Sequence, residues 1–214
     1  MAEIRYVPIQ LEHVHCVKRV LDRCFPDMLP TEQYSIEELE ELADIFAEGT
    51  IIALDGDKVV AMSTGSFVDL DFDNLPPREH DLLYDENGVS THTPDGEYYY
   101  GSDIGVDPAY RGRGIARQLY NRRKALVRRY NKRGFVAAGV LPGYEKHWDQ
   151  MDIHTYVDKV IAGELFDPTL TVQLRNGFEV RGLIKDFYIF PRSRNWSTLI
   201  VWDNPDYQDE ELPR

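Results

Sequence analysis

The sequence has few of the features that mark membrane, secreted or disordered proteins. No apolar run approaches the length of a membrane span, and residues 1–6 lack the basic-then-apolar pattern of a signal peptide. The hydrophobic content of 43% excludes a disordered chain. The two cysteines, Cys16 and Cys24, are eight residues apart on one predicted helix, roughly 12 Å, which is too far for a disulfide. Because free cysteines are typical of the cytosol, we expect a cytoplasmic protein.

Positive charge is scarce in the chain as a whole but concentrated in one segment. The formal net charge is −13, which argues against non-specific binding to nucleic acid or to a membrane surface. Residues 111–133 nevertheless contain ten of the 24 Lys and Arg residues and no Asp or Glu. This local basic segment predicts a single binding place for one anionic ligand.

The order of predicted elements indicates one mixed α/β domain over residues 1–214. Ser35 and Glu38 form a capping-box pattern at a helix start, and Asp55-Gly56 predicts a hairpin. The helical and strand patterns otherwise predict strands at 4–9, 51–54, 59–68, 98–106, 135–141, 178–184 and 197–202, and helices at 11–25, 35–48, 111–130, 153–163 and 168–175. Three further segments are expected to be an irregular acidic insertion at 69–97, an insertion at 143–167 and an acidic tail at 203–214.

The segment Val106–Ala116 has the pattern of an anion cradle. A strand ends near Pro108, a helix is expected to begin near Arg111, and two glycines stand one residue apart in its first turn. The first N–H groups of a helix have no intrahelical acceptor and lie at the positive end of its dipole. Glycines there allow a pyrophosphate to approach the backbone closely. The pattern is neither a dinucleotide-binding fingerprint nor a nucleotide-binding P-loop, because no third glycine and no Gly-Lys-Ser/Thr follow.

The same segment resembles the acyl-CoA motif of the GNAT superfamily of N-acetyltransferases. That motif has Arg or Gln, two residues, Gly, one residue, then Gly or Ala; Arg111, Gly114 and Ala116 match it. The element order over about 4–202 and the sequence Asn176-Gly177-Phe178 are also similar to the superfamily. The resemblance implies a GNAT-like mixed, mostly antiparallel sheet flanked by helices. It also implies acetyl-CoA bound by two backbone segments, namely Ile104, Gly105 and Val106, and Arg111, Gly112, Arg113, Gly114, Ile115 and Ala116.

A narrower resemblance connects the C-terminal half to GNAT domains that are fused to carbon–nitrogen hydrolase (nitrilase-like) domains. Leu141-Pro142-Gly143-Tyr144, Asp167-Pro168 and residues 173–178 carry this similarity. The chain ends after the last GNAT strand, so no hydrolase domain is expected within it.

The catalytic residues are less clearly marked than the cofactor segment. Many GNAT members carry a tyrosine acid four residues before the glycine of Gly-Phe, and that position is Gln173 here. Tyr144 and Tyr156 are therefore the alternative acids, each of which could instead be a core residue. Asp103 and Glu97 are the alternative bases. We predict Asp103 as the base and Tyr144 as the acid.

The resemblance implies an N-acetyltransferase that acts on a primary amine of a small molecule or peptide. The acidic segment 69–97 would favour a cationic acceptor. A non-catalytic acyl-CoA-binding or regulatory module is the alternative, and a nucleic-acid-binding module is opposed by the net charge. We predict no metal site, because His13 and His15 would face different directions on a helix. A homodimer is a further expectation.

Overall fold

In the computed structural model, which describes residues 3–86, 88 and 90–209, the chain forms strands in two sheets and helices on both of their sides. The strands are β1 Arg5–Pro8, β2 Ile51–Asp55, β3 Lys58–Ser63, β4 Ser66–Val68, β5 Tyr98–Tyr100, β6 Ile104–Val106, β7 Gly134–Val140, β8 Glu179–Lys185 and β9 Trp196–Asp203. The helices are α1 Val14–Cys24, α2 Ile36–Ile45, α3 Glu79–Leu83, α4 Ile115–Arg129, α5 Ile153–Ile161 and α6 Leu170–Arg175.

The two sheets have the strand orders β1-β2-β3-β6 and β4-β5-β7-β9-β8. Every pairing is antiparallel except that of β5 with β7. Helices α1 and α2 pack on one side of the sheets, where Val14, Val17, Val20 and Leu21 of α1 are all buried, as their spacing predicts. Helices α4, α5 and α6 contribute to the core on the other side. The predicted mixed α/β GNAT-like fold is therefore confirmed.

Two predicted strands are in fact broken, and each break moves the chain from one sheet to the other. The strand predicted over 59–68 divides into β3 and β4, and the strand predicted over 98–106 divides into β5 and β6. β3 pairs with β6, and β4 pairs with β5. Small and polar residues stand at both breaks, namely Thr64-Gly65 and Gly101-Ser102-Asp103. They do not show that the two halves belong to different sheets, because that depends on which strands each half pairs with.

Helix boundaries follow the capping groups more closely than the apolar pattern. Ser35 and Glu38 form the predicted capping box, with N–H···O distances of 2.6 and 3.1 Å. The last helix, α6, does not begin at Pro168, because the buried Asp167 carboxylate accepts hydrogen bonds from the Thr169 and Leu170 N–H groups. The segment 69–97 is not wholly irregular, since it contains α3.

Part of the predicted acidic tail, residues 210–214, lies outside the described residues. Among the helices that the structure describes, none combines the length and the apolar character needed to cross a membrane.

Candidate active site

A slot opens where β5 and β6 pass from one sheet to the other. The parallel pairing of β5 with β7 ends at Tyr100 and Val136, after which the Gly101 N–H donates to the Val136 carbonyl at 2.8 Å. Beyond this point β6 pairs with β3, so β6 and β7 diverge. The slot has a volume of 340 Å³. Two chain segments, residues 102–106 and 138–140, form its walls. The end of α1, part of α6 and the residues Arg111, Ala116 and Tyr120 also line it.

A buried arginine sits at the point where the strands separate. Arg123 of α4 is 2% exposed, and its guanidinium donates to the Tyr99 hydroxyl at 3.1 Å and to the Thr64 carbonyl at 2.6 Å. It also lies 4.5 Å from the Phe135 ring centroid. A Cβ on Gly101 would lie only 1.9 Å from its Nη2 atom. Arg123 is thus buried although it belongs to the basic segment 111–133, because the broken strands expose polar backbone that this side chain satisfies.

The predicted phosphate-binding segment forms a loop followed by a helix start. Helix α4 begins at Ile115 rather than near Arg111, and Gly112 and Gly114 both have φ of +77°, a left-handed conformation that favours glycine. Among the residues that the structure describes, no side chain caps α4, so its first N–H groups are open to an anion. The Arg111 Nε donates to the Val106 carbonyl at 3.1 Å, which fixes the loop beside the end of β6.

Some of the residues predicted to bind CoA lie in the slot, and the others lie in this loop. The slot is lined by Ile104, Gly105, Val106, Arg111 and Ala116. The other predicted residues lie off the slot wall, namely Gly112, Arg113, Gly114 and Ile115. The side chain of Ile115 is buried in the core, so only its backbone is available to a ligand.

Asp103, the predicted base, lies where the slot meets a second cavity. We call this second cavity the acidic cavity; it measures 430 Å³ and its lining includes Glu32, Glu38, Glu79, Asp81 and Asp103. The Asp103 backbone is fixed by Thr64, whose hydroxyl accepts from the Asp103 N–H at 3.0 Å. Its carboxylate forms no hydrogen bond or ion pair with the residues that the structure describes. Burial raises the pKa of Asp103 to about 6, against the opposing effect of the Arg123 and Lys18 charges.

The acidic cavity has further perturbed groups. Glu79 accepts from the Tyr100 hydroxyl at 2.8 Å and from the Tyr188 hydroxyl, and burial raises its pKa to about 8. Tyr84 is 6% exposed, and its hydroxyl has no hydrogen-bond partner among the described residues. Burial, followed by the Glu38 charge, raises the pKa of Tyr84. The cavity thus combines carboxyl groups with a free phenol.

Gln173 of α6 is a buried polar residue in the slot wall. It is 5% exposed, and its Oε1 atom has no hydrogen-bond partner in the described part of the chain. A Cβ on Gly139 would lie 2.7 Å from both amide atoms, so the glycine makes room for this side chain. The sequence marked Gln173 only as a departure from the family pattern and gave no sign that its amide lies in the slot.

The structure does not bring the other predicted catalytic residues to the slot. The Tyr144 hydroxyl donates to the Met151 carbonyl at 3.2 Å in the core, and Tyr156 donates to the buried Asp167 at 2.9 Å. Neither side chain lines the slot, so the prediction of Tyr144 as the acid has no geometric support. Glu97 pairs with Arg133 at 3.0 Å at the surface, away from both cavities.

The two sheets, the slot between β6 and β7 and the loop before α4 define the chain as a domain of the GNAT fold. The chain belongs to the acetyltransferase (GNAT) family, whose pattern matches residues 15–146. This finding confirms the broader resemblance.

Two proteins of Bacillus subtilis (strain 168) are related over most of this chain. "Probable hydrolase YhcX" is 31% identical, covering 89% of this chain but only 37% of its own length. "Uncharacterized N-acetyltransferase YkwB" is 28% identical, covering 87% of this chain and 83% of its own length. This chain therefore spans little more than a third of the first relative, and the narrower resemblance to hydrolase-fused domains stays a prediction.

Among solved structures, the GphF GNAT-like decarboxylase in complex with isobutyryl-CoA has a TM-score of 0.75 and 18% identity. The similarity covers 94% of this chain and 99% of GphF. At this identity the comparison shows a shared fold.

Proposed function

We propose that this protein is an acetyl-CoA-dependent N-acetyltransferase that modifies a primary amine of a small molecule or peptide. The observation that carries the proposal is the position of Asp103 between the slot and the acidic cavity. A group at this junction can touch an amine that enters from the cavity and a thioester that lies in the slot.

The chain offers a place for each part of acetyl-CoA. The open N–H groups at the start of α4 and the nearby arginines fit a pyrophosphate, and the slot between β6 and β7 fits the extended pantetheine arm. The amine nitrogen then bonds to the thioester carbon as the carbon–sulfur bond breaks, and Asp103 accepts the amine proton. Its pKa of about 6 leaves it ionised and basic at neutral pH.

The carboxylates of the acidic cavity favour an acceptor that carries positive charge. Asp81 and Asp103 form no ion pair among the described residues, whereas Glu32 is paired with Arg78. Opposite charge attracts an ammonium group into such a cavity and raises its local concentration. A cationic amine is therefore the acceptor class that the charges support.

The test is release of free CoA from acetyl-CoA in the presence of a panel of mono- and diamines. Calorimetric titration of acetyl-CoA, without any amine, measures cofactor binding separately. Malonyl-CoA without amine is a necessary comparison because GphF is a decarboxylase. Absence of acetyl-CoA binding would refute the proposal, and so would thiol release that is independent of the amine.

The alternative is a non-catalytic acyl-CoA-binding module. The observation that favours it is Gln173, since a carboxamide cannot protonate the departing thiolate. Amine-dependent turnover excludes this alternative, whereas tight acyl-CoA binding with no turnover across the panel supports it.

A further inference from the structure

The hydroxyl of Tyr84 is a buried polar group at the wall of the acidic cavity. This tyrosine directly follows α3, lines the cavity and is only 6% exposed. Its hydroxyl forms no hydrogen bond with the residues that the structure describes, whereas Tyr34, Tyr100 and Tyr188 around the same cavity are each hydrogen-bonded. A buried hydroxyl without a partner destabilises the folded state. Its position at a cavity wall points to a ligand that supplies the missing hydrogen bond.

The charges around Tyr84 place its hydroxyl at the end of the cavity that is far from Asp103. Burial raises the pKa of Tyr84, and the Glu38 charge has the next largest effect, ahead of Glu41 and Glu79 and with Asp103 last. Because the effect of a charge falls with distance, this order indicates that the hydroxyl lies closer to Glu38 than to Asp103. The cavity therefore has one end at Asp103 and another at Glu38 and Tyr84.

Tyr34 connects these two ends and shows how far apart they are. Its hydroxyl shares a hydrogen bond of 2.7 Å with the Ser102 hydroxyl, and Ser102 directly precedes Asp103. Its backbone directly precedes Ser35, whose N–H donates to the Glu38 carboxylate at 2.6 Å. One tyrosine side chain, with a hydrogen bond at each end, thus separates the two carboxylates. A diamine with about four to six methylenes has a comparable length.

Negative charge without a positive partner stands at both ends of the acidic cavity. Neither Asp103 nor Glu38 forms an ion pair within the described part of the chain. Glu79, between them, is mostly protonated at neutral pH because burial raises its pKa to about 8. Asp81 is exposed, so solvent screens its charge. A ligand with a single ammonium group can neutralise only one of the two ends.

We propose that the acceptor is a diamine or polyamine whose second ammonium group binds between the Tyr84 hydroxyl and the Glu38 carboxylate. The inference rests on the proposed acyl transfer. The Tyr84 oxygen and the second carboxylate oxygen of Glu38 each accept an N–H of this distal ammonium group, which does not react.

The other amine, in its neutral form, lies at Asp103 and attacks the thioester carbon. The C–N bond forms, the C–S bond breaks, and its electron pair stays on sulfur. Asp103 takes the proton from nitrogen, and water supplies the proton that the thiolate takes up. The products are CoA and a diamine that is acetylated at one end and still charged at the other.

Two substrates that differ in the distal group alone test the proposal. 1,5-Diaminopentane and 5-amino-1-pentanol have the same length and the same reacting amine. At one fixed ionic strength, kcat/KM should be about tenfold or more higher for the diamine, because a hydrogen bond to a charged group is stronger than one to a neutral group. Diamines with two to eight methylenes should show an optimum length rather than a continuous trend.

Three variants locate the distal subsite. Glu38→Gln removes the charge but keeps a side chain that suits a capping box, and Tyr84→Phe removes only the hydroxyl. Each should lower the ratio of kcat/KM for the diamine to that for the amino alcohol by about tenfold. A merely structural role would lower both values alike and leave the ratio as in the wild type. Glu40→Gln changes an exposed glutamate of α2 outside the cavity lining and is the matched control, with an unchanged ratio.

The outcomes separate this inference from the proposed function. Active wild-type protein with equal kcat/KM for the two substrates overturns the inference alone. A diamine preference that Glu38→Gln and Tyr84→Phe both leave unchanged overturns it as well. Wild-type protein that releases no CoA with any amine refutes the proposed function, and the melting temperature then serves as the readout. A larger rise with the diamine than with the amino alcohol, lost in both variants, supports the subsite, and equal rises overturn it.

Discussion

Replacing Asp103 with Asn should stabilise the protein at neutral pH while removing its activity. The Asp103 carboxylate is half-buried and forms no hydrogen bond or ion pair within the described part of the chain. Burying its charge therefore has a free-energy cost that destabilises the folded state. Asparagine has nearly the same shape and no charge. The substitution therefore removes the cost without breaking a contact.

The pKa gives the size and the sign of the effect. Burial raises the pKa of Asp103 from 3.8 to about 6 in the folded protein. The folded state then holds this proton more tightly than the unfolded state, so stability is lost as the pH rises from about 4 to above 6. Two pKa units correspond to about 3 kcal/mol at pH 7. Asn at this position avoids that loss, and its advantage over Asp should vanish near pH 4.

Urea unfolding at pH 4, 5, 6 and 7 measures this difference, and steady-state release of CoA measures activity. Loss of a general base should lower kcat by about 10²- to 10⁴-fold, and wild-type activity should fall below pH 6 as the carboxylate is protonated. An Asp103→Asn variant that is no more stable than wild type at pH 7 would refute the conclusion that burial raises the pKa of Asp103. Full activity in that variant would show that another group accepts the proton.

Three other substitutions test separate parts of the site. Gly114→Glu should abolish acetyl-CoA binding in a calorimetric titration, because it places a charged side chain at a left-handed position of the phosphate loop; Gly56→Glu, at a left-handed turn away from the slot, is the matched control and should bind normally. Arg123→Met removes a positive charge that lowers the pKa of Asp103, so the acid limb of the pH–rate profile should move to higher pH. An acid limb at the same pH as in the wild type would show that the Arg123 charge does not act on Asp103. Tyr156→Phe should cost about 1 kcal/mol in urea unfolding through its lost 2.9 Å hydrogen bond, with kcat unchanged; a large loss of kcat would restore this tyrosine as an acid.

The elements that the sequence predicts well are those whose signals are local. The capping box at Ser35 depends on residues three positions apart, and the buried face of α1 depends on helical spacing alone. The loop with Gly112 and Gly114 is also locally encoded, because two left-handed positions call for glycine wherever they occur. Local patterns of this kind were sufficient to predict the fold class and the glycine loop before α4.

The features that the sequence could not show depend on contacts between distant segments. Arg123 falls on a basic helix whose pattern predicts an exposed charge, and its burial depends on the carbonyl that Thr64 exposes 59 residues earlier. The lack of geometric support for Tyr144 as the acid has a similar cause. A tyrosine in an insertion gives no local sign of whether its hydroxyl faces a slot or a core carbonyl, and here it faces the core.

The slot itself is a product of the two strand breaks. If β3 continued into β4 and β5 into β6 within one sheet, β6 and β7 would pair along their lengths and leave no space between them. The Thr64 hydroxyl and carbonyl, at the first break, bind the Asp103 N–H and the Arg123 guanidinium. The same residue that divides the strand therefore positions the proposed base and the charge that tunes its pKa. Interruption of the sheet and placement of the proposed base are thus one structural event, and it depends on contacts of Thr64 with residues 39 and 59 positions later in the chain.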